Sequence, residues 1–290
     1  MNTGSLSLGS WFGIRVNVHW SVLIIAMLLG ASLANIVGFA PAFLGVVAFL
    51  VSILAHEFAH ALTARRFGVG TQSIQLWALG GVARLDRESP TARAEGWIAA
   101  AGPIASVLLA IGGVATWWAA GGAAGDSAYL AVLGWLGIIN AALALFNLLP
   151  GAPLDGGRIV KAVRWGRHGD RHRAAREAGQ AGVVIGWLLG ALGFGLILQA
   201  QSGVWLMITG LFIAINARVE MSAADLGAKL AGIRVRDLTW FGVAQAGPDD
   251  ELTSVLPRLN PRRPIVTVWE GDRLVGLVPP KLLKERLGLV

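Results

Sequence analysis

Apolar stretches of bilayer-spanning length recur along this chain and constrain its fold more than any other feature. They cover residues 16–37, 41–64, 97–120, 128–149, 181–199 and 204–217. A helix needs about 20 mostly apolar residues to cross the hydrocarbon core. The last stretch is short and is expected to pair with the fifth as a tight hairpin. The first lacks a small-residue cleavage site and runs directly into the second, so it reads as a membrane helix and not as a signal peptide.

The basic residues orient these spans. Arg15 precedes the first, and Arg65 and Arg66 follow the second. Arg84, Arg87 and Arg93 precede the third. Arg158, Lys161, Arg164, Arg167, Arg171, Arg173 and Arg176 lie between the fourth and fifth, and Arg218 follows the sixth. The remaining connections, near Gly38, at 121–127 and at 200–203, hold no Lys or Arg. Six spans therefore put every basic cluster on one side, with both termini cytoplasmic. This patterning also accounts for the net charge of +7 without a nucleic-acid partner. Charged residues make up only 14% of the chain, against about 25% in soluble domains. There is no cysteine, so disulfides and thiolate metal sites are excluded and any metal must be held by His, Asp or Glu.

Two segments depart from the helical pattern. Residues 71–86, TQSIQLWALGGVARLD, alternate Ile74, Leu76 and Ala78 with Ser73, Gln75 and Trp77. With Gly80-Gly81 as a turn signal this predicts a β-hairpin beside the membrane, the alternative being a plain interfacial loop. The tail from residue 231 is soluble in character. It predicts a strand, a turn at Gly271-Asp272, a second strand and a helix. The domain boundaries read as 1–220 for the membrane part and 221–290 for the tail.

The chemistry lies in HEFAH, residues 56–60. On a helix His56 and His60 share a face one turn apart, so both imidazoles reach one metal ion. Glu57 stands beside the first of them, placed to exchange protons with water and a leaving amine. This is the H-E-x-x-H pattern of zinc proteases. Catalytic zinc takes three protein ligands and keeps one position open, so a third ligand is required. His168 and His172 repeat the i, i+4 spacing, but they sit among arginines with no intervening Glu and read as a solvated loop. His19, beside Trp20, reads as an interfacial anchor. Asp155 is the better candidate. It lies in FNLLPGAPLDGGR, residues 146–158, where Pro150 and Pro153 exclude regular helix and Gly151, Gly156 and Gly157 permit tight turns. Its alternative role is to cap a following helix at 156–165. Its depth, three residues before Arg158, matches that of His60, five before Arg65. Asn140 and Asn147 share a helix face, and interhelical hydrogen bonding explains them as readily as catalysis does.

HEFAH, LGGVARL at 79–85, AGPIAS at 101–106 and NLLPGAPLDGGR at 147–158 together resemble the site-2 protease family of intramembrane zinc metalloproteases. The resemblance covers most of residues 13–158. It implies one zinc ion on His56, His60 and Asp155, with Glu57 as general base. It further implies that Asn147, Pro153 and the hairpin with Gly80 and Gly81 hold a substrate. That substrate would be a transmembrane helix of another membrane protein, cleaved within the bilayer. Ser106 stands where many relatives carry Asn, and no role is assigned to it. The tail resembles one CBS repeat, as in a prokaryotic subgroup of the family. A complete nucleotide module needs two repeats, and Pro279 and Pro280 replace the usual Thr and Asp. The tail is therefore expected to pack or dimerise and not to bind nucleotide.

The expected architecture is thus an all-α polytopic membrane protein with a membrane-associated hairpin and a small α/β tail. Two rival functions share its features. An ion transporter would spread polar residues through the whole membrane depth, whereas here they gather at one depth. An inactive binding scaffold of the same fold would have no need of Glu57.

Overall fold

The computed structural model describes residues 4–78, 80–122, 127–199, 201–232, 244–259, 265–279, 282 and 285. Leu79 of the hairpin motif, Pro280 and most of the helix expected to close the tail lie outside the described residues, Leu282 and Glu285 being helical. The chain divides into two compact units, Met1–Lys229 and Leu230–Val290.

The first unit begins with strands β1 (Ser5–Trp11) and β2 (Ile14–His19). Helices α1 (Ser21–Val37) and α2 (Phe39–Arg66) follow. Strands β3 (Thr71–Trp77) and β4 (Gly80–Leu85) come next. The remaining helices are α3 (Ala92–Ala119), α4 (Ala128–Asn147), α5 (Asp155–His168), α6 (Arg171–Leu198) and α7 (Val204–Leu230).

Among the described residues, α2, α3, α4, α6 and α7 are long and apolar enough to cross a bilayer. Their outer faces fit that setting. Val184, Trp187, Leu188 and Leu192 of α6 are each half exposed or more, an apolar surface that water-soluble proteins rarely present. The first apolar run departs from expectation. Its opening residues form β2, and α1 has only 17 residues, about 25 Å of helix against a hydrocarbon core of about 30 Å. The cause is legible: Ile14, Val16 and Val18 alternate with Arg15, Asn17 and His19, a period of two. The sixth stretch is longer than expected, because α7 continues to Leu230 through Arg218, Glu220, Asp225 and Lys229.

The hairpin exists, but it belongs to a larger sheet. The order is β1-β2-β3-β4. β1 pairs antiparallel with β2, β2 parallel with β3, and β3 antiparallel with β4. The N-terminal half of this sheet was not anticipated. Ile14, Val16, Ile74 and Leu76 turn one face of it onto Phe58 and Ala61 of α2, which anchors the sheet beside the HEFAH turn. Gly80 and Gly81 are not in the turn. They are the first residues of β4, paired with Trp77 and Leu76.

The second unit carries β5 (Ala244–Ala246), a helical turn α8 (Leu252–Val255), and β6 (Val266–Glu270) joined to β7 (Arg273–Val278). β5 pairs parallel with β6, and β6 antiparallel with β7. The Gly271-Asp272 turn falls where the sequence places it, with Gly271 in the left-handed region at φ 60°.

Candidate metal centre

α2 runs unbroken through HEFAH and ends at Arg66, with Arg65 and Arg66 in its last turn. Its helical period brings His56 and His60 together, with ring centroids 4.8 Å apart. Both are buried, as is Glu57. The chain between α4 and α5 folds back beneath them. Prolines 150 and 153 end the helical run. Gly156 and Gly157 lie so close to the backbone of Leu148, Leu149 and Ala152 that a β-carbon would overlap it. α5 therefore begins at Asp155 itself. No side chain caps that helix. The Asp155 carboxylate turns instead towards the histidines.

Three atoms converge there. His56 Nε2 lies 3.2 Å from Asp155 Oδ2, His60 Nε2 lies 3.1 Å from the same oxygen, and the two nitrogens are 3.1 Å apart. Ligands of a tetrahedral ion with bonds of about 2.0–2.1 Å stand about 3.3 Å apart. The donor set and spacing therefore fit a metal such as zinc. Among the described residues this is the one group of three His, Asp or Glu side chains so arranged.

The distal ring nitrogens are held as metal-binding histidines require. His60 Nδ1 is 2.6 Å from the carbonyl of Ile98. A carbonyl only accepts, so Nδ1 carries the proton and Nε2 presents a lone pair. His56 Nδ1 is 2.9 Å from Ser106 Oγ. Asp155 can ligate as a carboxylate, the form that the nearby Arg158 guanidinium favours. Arg158 Nη1 is 3.9 Å from Asp155 Oδ1. Its Nε donates to Glu95 Oε1 at 3.1 Å. Glu95 is buried and also accepts from Ser89 Oγ.

A cavity of about 420 Å³ opens beside this group. Glu57, Gly80, Gly81, Asn147 and Pro153 all line it. Thr209 and Phe212 of α7 line it too, and no motif or hydrophobic period points to them. The Asn147 amide donates to the carbonyl of Leu143, and that of Asn140 to Leu136. Both bonds stay within α4 and not between helices, the pairing that stood beside catalysis as an explanation of these residues. The remaining histidines stand apart from the centre. His19 Nδ1 pairs with Ser21 Oγ at 2.8 Å, and His168 faces Glu177 at 3.7 Å.

Comparison with known proteins agrees with this geometry. The model of "Peptidase family M50" matches residues 44–121 and 111–192, which together exceed half of the chain. The "Putative zinc metalloprotease Rip3" of Mycobacterium tuberculosis is 43% identical over 246 residues, 80% of this chain. The chain spans 63% of that relative's length. A solved structure, the site-2 protease from Methanocaldococcus jannaschii, superposes with a TM-score of 0.54 at 27% identity. The match covers 75% of this chain and 95% of that one.

Proposed function

Because the chain belongs to peptidase family M50, we propose that it is a zinc-dependent endopeptidase that cleaves transmembrane segments of other proteins. The apolar helices make it a multi-pass membrane protein, so the substrate is met within the bilayer. One observation carries the reading. His56 Nε2, His60 Nε2 and Asp155 Oδ2 converge at 3.1–3.2 Å on the wall of a cavity that Glu57 also lines.

His56, His60 and Asp155 hold the ion, and Glu57 is the general base. Zinc, when bound, supplies Lewis acidity to a water molecule and to the scissile carbonyl. The Glu57 carboxylate takes a proton from the attacking water and delivers it to the departing amine. Burial excludes bulk water, which strengthens each of these interactions.

A helical substrate hides its carbonyls in its own hydrogen bonds, so it must unwind before cleavage. Among the described residues, β4 is the outer strand of its sheet and has one neighbour, β3. Its free edge, at Gly80 and Gly81, is suited to pair with an unwound segment, in the manner of β-augmentation. Asn147 and Pro153 line the same cavity and hold the segment there.

The wider organisation belongs to the same proposal. Residues 1–220 form the protease domain, in which α1 completes a set of six spans and both termini are cytoplasmic. Residues 221–290 form a CBS-like domain that packs or dimerises.

Glu57→Gln tests the reading. It is expected to keep zinc while cleavage of a membrane-anchored reporter falls by about 10²–10⁴-fold. Cleavage at the wild-type rate would show that the mechanism is wrong.

A further inference from the structure

We infer that one face of α3, formed by Glu95, Ile98, Gly102 and Ser106, is the positioning surface of the metal centre: it supplies no ligand but orients all three. The inference rests on the metallopeptidase reading above and extends it to a helix that reading leaves out.

These four positions are separated by three, four and four residues, so they form a single stripe along the helix. Each ligand is reached from this stripe. Ser106 Oγ is 2.9 Å from His56 Nδ1. The Ile98 carbonyl accepts from His60 Nδ1 at 2.6 Å. Glu95 holds Arg158 Nε at 3.1 Å, and the Nη1 of that guanidinium lies 3.9 Å from Asp155 Oδ1. Asp155 thereby keeps its second oxygen, Oδ2, for the histidines.

Gly102 sits between these anchors. A β-carbon there would stand 2.5 Å from His56 Nε2 and 2.6 Å from His60 Cε1. The helix can approach the ligating atoms this closely only without a side chain at 102. The anchors are also sealed from water: Ser106 is 0% exposed and Glu95 5%. Water cannot stand in for a lost hydroxyl at 106, so His56 Nδ1 would be left unpaired and its ring free to turn.

The test uses the purified full chain in detergent. Zn²⁺ affinity is measured by competition with a chelating dye, Co²⁺ coordination by its visible spectrum, and the metal-free fold by thermal melting. Ser106→Ala is expected to weaken Zn²⁺ binding by about 10–100-fold. Ser106→Thr, which keeps the hydroxyl, should bring the affinity back towards wild type. Gly102→Ala separates positioning from simple packing, because alanine is the better helix former. The inference expects the metal-free melting temperature to be retained while Zn²⁺ binding is lost and the Co²⁺ spectrum changes. Unchanged Zn²⁺ affinity and Co²⁺ spectrum in both Ser106→Ala and Gly102→Ala would overturn it. So would loss of the metal-free fold in both, since the residues would then be structural. A wild-type chain that binds neither Zn²⁺ nor Co²⁺ would instead defeat the metallopeptidase reading itself.

Discussion

Gly81 of β4 lies directly against Glu57 of α2: a β-carbon on Gly81 would stand 2.6 Å from Glu57 Oε1. The strand proposed to receive substrate and the proposed general base thus share one contact. Gly81→Ala is expected to push the carboxylate aside while leaving the metal ligands in place. A misplacement of about 1 Å can cost about 100-fold in rate. Cleavage should fall by that order with zinc content unchanged, measured by a reporter assay beside metal analysis. An unchanged rate would mean that Glu57 is not the base or that β4 does not lie where substrate binds.

Asp155 is the proposed ligand that the histidine motif does not supply. Asp155→Ala removes one of three converging atoms and leaves Arg158 facing the gap. Changes outside the ligand set cost metalloproteins about 10–100-fold in metal affinity. Loss of a ligand should exceed that range. Dye competition reads the affinity, and a value near wild type would rule Asp155 out.

Metal removal should act on activity and on stability together. A zinc chelator is expected to abolish cleavage, and added Zn²⁺ to restore it. A ligand that binds only the folded state stabilises it by about 2.7 kcal/mol at a hundred times its Kd. The melting temperature should therefore rise with Zn²⁺ in the wild type and stay flat in His56→Ala.

The sheet is held to α2 by buried apolar side chains, Ile74 among them at 0% exposure. Ile74→Ala should cost about 2–5 kcal/mol by cavity formation. It should also loosen the strand pair that carries Gly80 and Gly81. A melting temperature equal to wild type would show that the sheet is not anchored through this residue.

Particular residues show what could be read early and what could not. The spacing of His56 and His60 was legible because a helix repeats every 3.6 residues, whatever it packs against. The strand at 14–19 carried an equally clear period of two, but the apolar run that follows it masked the change of period. Gly80-Gly81 carried a turn signal yet belongs to a strand. Their small size serves close approach to Glu57, a contact between segments that local pattern does not encode. Ser106 was visible only as a departure from a family pattern. Its meaning depends on which neighbour its hydroxyl meets.

The sequence by itself determined the chain's apolar segments, the helical face that carries HEFAH, and the broken segment that carries Asp155. Those follow from composition, hydrophobic period and backbone restrictions, all of which act over a few residues. Tertiary structure alone decided that Asp155 closes on His56 across 99 residues of chain, that Gly81 meets Glu57, and that α3 backs His56 and His60. Such contacts depend on how α2, α3, α5 and the sheet pack, and that packing is set by the shapes of buried surfaces that come together only when the whole chain folds.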